Sequence, residues 1–122
     1  MNAQEITVVY RWTAQPGKLD ELKAIYQEVR DEMEANEPGT VRMECYFADD
    51  SNQVIVHDVF ADAQALGVHL GGTAARHFPK LVEIAQPGPF FFCGNVPDEV
   101  VQAASGMNLG ALFATRLYGF SR

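Results

Sequence analysis

Along this chain the hydrophobic positions switch between a two-residue period and a three-to-four-residue period, and each switch predicts an element. In residues 6–12, Ile6, Val8, Tyr10 and Trp12 share one face of a strand, while Thr7, Val9 and Arg11 share the other. Pro16-Gly17 punctuates the chain. Over residues 18–34, Leu19, Leu22, Tyr26, Val29 and Met33 follow helical spacing and Ile25 widens the stripe. Asp20, Glu21, Lys23, Gln27, Glu28, Asp31 and Glu34 form the solvated side of that helix. Glu37-Pro38-Gly39 stops it.

Residues 40–48 alternate again, with Val41, Met43, Cys45 and Phe47 opposite Arg42, Glu44 and Tyr46. The turn cluster at 49–52 predicts a hairpin into a strand at 53–60. There Val54, Val56, Asp58 and Phe60 face one way, and Ile55, His57 and Val59 the other. Asp62 is a good N-cap for a helix to about Leu70, Gly71-Gly72 breaks it, and Thr73 caps a continuation to Ala85. Pro79 lies inside that continuation and predicts a kink or a restarted turn. Beyond Pro87-Gly88-Pro89, residues 90–93 (FFFC) read as a short, fully buried strand. A small helix at 98–104, closed by Gly106, and a last strand at 109–120 complete the chain.

The order βαββαβ, followed by a helix–strand extension, is that of an α+β ferredoxin-like sandwich with two helices on one face of an antiparallel sheet. Strands apolar on both sides need a second cover. A second copy of the chain is the simplest one, which predicts a homodimer. The trailing strand is placed to pair with the partner's edge.

Composition narrows the function. At 122 residues, 1–122 reads as one domain, with a core at 5–95 and an extension at 96–122. A formal charge of −7 argues against nucleic acid and anionic membrane as partners. The first ten residues lack a basic stretch and an apolar secretory core, so cytoplasmic residence is expected. Cys45 and Cys93 stand far apart in apolar runs and read as two reduced, buried thiols.

Three stretches carry a family resemblance: strand–PGKLDEL–helix, ANEPGTVRMECYF, and VIVHDVFADAQALGVHL, with Phe60, Asp62, Ala65, Leu66 and His69 as its most specific part. Over residues 5–95 the chain resembles the antibiotic biosynthesis monooxygenase superfamily of dimeric α/β-barrel proteins. The resemblance implies a homodimer and a small aromatic ligand. It also implies one of three roles: a cofactor-independent monooxygenase of phenols or quinols, a haem-degrading enzyme, or a non-catalytic ligand-binding or structural dimer. Departures are visible. Phe60 stands where family oxygenases often carry Trp. Of the haem-degrading set, Tyr10 replaces the strand-one Asn, and His77 alone falls close to its place.

A cofactor-free oxygenase needs a base, a donor that steadies the substrate anion, and an apolar cavity that excludes water. Histidine suits the first role, being half-protonated near physiological pH. His69 is accordingly the candidate catalytic base, with Tyr10, Trp12 and His77 as substrate-binding residues and Tyr46 and Arg76 as further donors of suitable type. The competing structural readings are a partly exposed helix-end His69, an exposed His77, a core or interface His57, and plain core packing for Tyr10 and Trp12. No metal site is expected, because His69 and His77 lack i, i+4 spacing and His57 and Asp58 point to opposite faces. Gly71-Gly72 offers either a hinge that opens the pocket or a simple helix stop.

Overall fold

The computed structural model describes residues 4–122. Strand β1 (Ile6–Ala14) leads to helix α1 (Leu19–Asn36), then strands β2 (Thr40–Ala48) and β3 (Gln53–Phe60). Helices α2 (Ala63–Gly71) and α3 (Thr73–Ile84) follow, then β4 (Ala85–Pro87), β5 (Phe90–Cys93), α4 (Asp98–Ser105) and β6 (Ala111–Ala114). The sheet runs β2-β3-β1-β5-β6, with β4 also paired to β1. Each neighbouring pair in β2-β3-β1-β5 is antiparallel, the ferredoxin-like order.

The alternation of β1 translates directly into burial: Ile6, Val8, Tyr10, Trp12 and Ala14 are all inside. Opposite them α1 presents Leu22, Ile25, Tyr26, Val29 and Met33, and α3 presents Leu81 and Ile84. The β2–β3 hairpin has the predicted limits and turns through a 3-10 turn at Asp49–Ser51, where Asn52 takes the left-handed conformation at φ 55°. Asn tolerates that region better than most residues, because its short side chain can bond locally. Asp62 caps α2 as expected, its carboxylate accepting from the Ala65 N–H at 2.9 Å.

Several expectations need correction. Thr73 makes no cap bond; its hydroxyl turns inward instead. Helix α3 runs through Pro79 with no restarted turn. β5 is half buried rather than fully buried: Phe90 and Phe92 face the core while Phe91 is 41% exposed. The last strand is only Ala111–Ala114, and the tail beyond it has no regular structure. Within this chain β6 pairs in parallel with β5, through the crossover helix α4, and forms the edge of the sheet. Both cysteines are free, but Cys45 is exposed and Cys93 only partly covered, because β2 is an edge strand and the outer sheet face carries no helix.

Candidate active site

Between the inner sheet face and the helices lies a largely apolar cleft holding about 50 Å³ of free space. Val8, Tyr10 and Trp12 of β1, Asp58 and Phe60 of β3, Tyr26 of α1 and Leu66 and His69 of α2 line it, and Phe78, Phe90 and Met107 close its other sides. Tyr10 stacks on Phe90 at 4.3 Å between ring centres, and Phe60 holds the His69 ring at 5.2 Å. Aromatic walls of this kind suit a flat apolar ligand.

His69 is buried, not half exposed, at 6% of its free surface. Its Nδ1 lies 3.1 and 3.2 Å from the two carboxylate oxygens of Glu37. The carboxylate accepts the Nδ1 proton, so in the neutral ring Nε2 keeps its lone pair. Glu37 sits in the turn between α1 and β2. That turn can lie against α2 because residue 39 is glycine: a Cβ there would come within 2.6 Å of the Ala65 Cβ. Thr40 Oγ1 donates to Glu37 Oε1 at 2.8 Å and Thr73 Oγ1 to Oε2 at 2.5 Å. Burial pushes the Glu37 carboxyl up, but the bonds from His69, Thr73 and Thr40 outweigh it and hold the group below the ordinary carboxylate range.

The opposite side of the cleft behaves differently. Asp58, 1% exposed, accepts the Tyr10 hydroxyl at 3.2 Å on Oδ2, and Tyr26 donates onward to the Tyr10 oxygen at 3.5 Å. Among the described residues Asp58 Oδ1 has no hydrogen-bond partner, and the Trp12 indole N–H makes no close bond, though it lies near enough to the Tyr26 hydroxyl to influence it. Burial pushes the Asp58 carboxyl up to about 6, against the smaller opposing pull of His69 and the Tyr10 bond. Burial first, and Asp58 second, raise the Tyr10 phenol well above its ordinary value, so it remains a donor.

His69, Tyr10, Trp12 and His77 all line this one cleft. His77 lines it with its Nε2 already bonded to Glu32 of α1, and Arg76 donates to the same carboxylate at 3.2 Å. Tyr46, 55% exposed on the outer face of β2, is not part of the site, and Arg76 points to solvent. His57 is partly covered on the outer face. Glu37, Asp58 and Tyr26 were not foreseen. Asp58 had a legible signal, a carboxylate on the face of β3 otherwise made of Val54, Val56 and Phe60. Among the described residues no group of three His, Cys, Asp or Glu side chains could hold a metal. Haem fits poorly, since the one histidine near a haem-ligating place is already held by Glu32 and the free space is small.

A ferredoxin-like α+β sandwich whose inner sheet face and helices enclose an apolar, histidine-bearing cleft is one of the common frames for small-molecule chemistry. The chain belongs to the antibiotic biosynthesis monooxygenase family, whose pattern matches residues 5–81. Its fold is similar to that of MupZ from Pseudomonas fluorescens, at 21% identity and TM-score 0.78, covering 98% of this chain and 95% of that one. It is also similar to SnoaB, a cofactor-independent oxygenase from Streptomyces nogalater, at 23% identity and TM-score 0.64, covering 74% and 91%. Rv0793 from Mycobacterium tuberculosis, at 14% identity and TM-score 0.66, covers 77% and 97%. The MupZ likeness thus takes in the C-terminal extension. No protein of curated function matches the sequence.

Proposed function

We propose that this protein is a cofactor-independent monooxygenase of a small aromatic phenol or quinol, with His69 as the proton acceptor and Tyr10, Trp12 and His77 around the substrate. The observation that carries the reading is the buried Glu37–His69 pair beside an apolar cleft. Glu37 fixes the ring so that Nε2 can take the phenolic proton. The phenolate then passes one electron to O₂. Recombination of the radical pair puts one oxygen atom on a ring carbon, and loss of water carries off the other and yields the quinone. Exclusion of water favours each charged step. The cleft is only about a third of the roughly 150 Å³ that holds benzene in an engineered cavity, so substrate entry requires its walls to part. The Gly71-Gly72 break between α2 and α3 is the place for that movement.

A homodimer belongs to the same proposal. Tyr46, Phe91 and Leu112 leave apolar surface on the uncovered sheet face, and the tail exposes Leu117, Tyr118 and Phe120 at 77–89%. Patches of that kind mark interaction surfaces. Cytoplasmic residence agrees with two free thiols. No helix among the described residues is long and apolar enough to cross a membrane.

Oxygen uptake on a panel of hydroquinones and phenols, with His69→Ala as control, tests the activity; no uptake with any of them refutes it. A second reading keeps the site but not the redox step. His69 backed by Glu37, and the Asp58 carboxyl that burial raises toward neutrality, form a base and an acid at one cleft, which suits redox-neutral proton transfer. Product formation without oxygen consumption would decide for it. Stable ligand binding with no turnover of either kind would leave a binding dimer.

A further inference from the structure

The Glu37–His69 pair does not account for Asp58 Oδ1, which has no hydrogen-bond partner among the described residues, or for Trp12 Nε1, whose N–H makes no close bond. Both residues line the cleft, and they bracket the Tyr26–Tyr10 hydroxyl pair. The chain of donors has one direction: Tyr26 gives to Tyr10, and Tyr10 gives to Asp58 Oδ2. Among the described residues no donor reaches Oδ1, and leaving a buried polar atom unsatisfied costs a fold about 1–3 kcal/mol. Such atoms persist where something other than the fold completes them.

We infer that Asp58 is a ligand-contacting residue that, in its protonated form, donates from Oδ1 to a carbonyl oxygen of the ligand, with the Trp12 N–H as a second donor. The ligand class that follows is a hydroxyaryl ketone or related phenol carrying a carbonyl, its hydroxyl toward His69 and its carbonyl toward Asp58. This deepens the proposed function by naming what the far end of the substrate carries, and it rests on the cleft rather than on the oxygen chemistry.

Proton occupancy at Asp58 is governed by everything packed against it. Tyr10 of β1 and Tyr26 of α1 remain protonated donors, and although Cys45 of β2 lies on an exposed edge strand, desolvation around its sulfur and then the Asp58 charge raise its thiol, which stays neutral. His69 of α2 pulls the Asp58 carboxyl down and Glu37 pushes it up, both less strongly than burial. The ketone contact therefore belongs to the acidic side of neutrality.

The test is calorimetric binding of 4-hydroxyacetophenone and of 4-ethylphenol, which differ in the carbonyl alone. At pH 5 the wild-type protein should prefer the ketone by about ten-fold, the worth of one good hydrogen bond, and the preference should shrink at pH 8. Asp58→Asn keeps an uncharged donor and should hold the preference at both values. Asp58→Ala should lose it at both. No saturable ketone binding at pH 5, an equal affinity for the two compounds, or a preference that survives in Asp58→Ala overturns the inference. An oxygen electrode run on the same mixtures separates the two proposals: ketone preference without oxygen uptake removes the oxygenase and leaves the Asp58 contact standing.

Discussion

Two carboxylates are buried at this site, Asp58 in the cleft lining and Glu37 behind His69, and they have been built to opposite ends. Glu37 is approached by Thr40, Thr73 and His69, and lies below the ordinary range. Asp58 is approached by Tyr10 alone and rises to about 6. Burial acts on both in the same direction; the number of donors decides which way each one moves. The first arrangement makes a fixed anion that orients a histidine. The second makes a carboxyl that changes state near neutrality. Paired groups whose environments drive them apart are how a fold separates its acid from its base.

The sharpest way to break this comparison is at the histidine itself. His69→Ala should lower turnover by about 10²–10⁴-fold, the usual contribution of a positioned general base, measured as initial oxygen or product rates on a phenol that the wild type consumes. A loss below threefold would mean that Glu37 orients a ring that does no chemistry.

Next is the anion. Glu37→Ala should cost about 3–5 kcal/mol in urea unfolding, because it leaves the Nδ1–H of a buried histidine and two threonine hydroxyls without their acceptor at once. The pH sign follows from the lowered carboxyl. Its stabilisation is complete above the unfolded-state value and fades as pH falls through the folded one. A loss under about 1 kcal/mol would place Glu37 among ordinary surface pairs and end the contrast with Asp58.

Asp58 should show the reverse sign. Its folded value, about 6, lies above the ordinary 3.8, so its contribution is complete below the lower figure and is lost as pH rises through the upper one. The full span is about 3 kcal/mol for a shift of this size, of which about 2 falls between pH 4.5 and pH 7.5. Asp58→Asn cannot ionise, so its stability relative to wild type should climb by that amount across the interval. Parallel unfolding curves at both pH values would show that Asp58 is already solvated and charged in the fold.

How much of this was readable beforehand depends on distance along the chain. The period of β2 and β3 fixed their limits to the residue, because alternation and turn chemistry are local. The order of elements then gave the sandwich. The three-residue β4 escaped notice because it exists only through its pairing with β1, far away in sequence. The trailing strand was overdrawn because the apolar residues after Ala114 look like a strand while nothing in this chain pairs with them. At the site, His69 was legible as a candidate base behind a capping Asp62. Glu37 was not. It read as part of a helix stop, and it becomes a ligand of His69 only when Gly39 lets two segments 32 residues apart come together. Asp58 interrupts an apolar stripe on its own strand and was available to a stricter reading of that stripe.

The smallest expected effect tests whether burial, rather than the mere presence of a histidine–carboxylate pair, carries the argument. Helix α3 supplies a second such pair, His77 with Glu32, whose side chains are 16% and 31% exposed against 8% and 4% for His69 and Glu37. The bond from His77 is the largest influence lowering the Glu32 carboxyl, and Arg76 shares the load. Water reaches this pair, so His77→Ala should cost no more than about 1 kcal/mol, and 0.5 M salt should reduce the difference further. The readout is urea unfolding of wild type and variant at two salt concentrations. If His77→Ala instead matches the loss seen for Glu37→Ala, and salt leaves it unchanged, then donor number and burial do not separate the two pairs. The distinction between a fixed anion at Glu37 and a switching carboxyl at Asp58 would then have lost its physical basis.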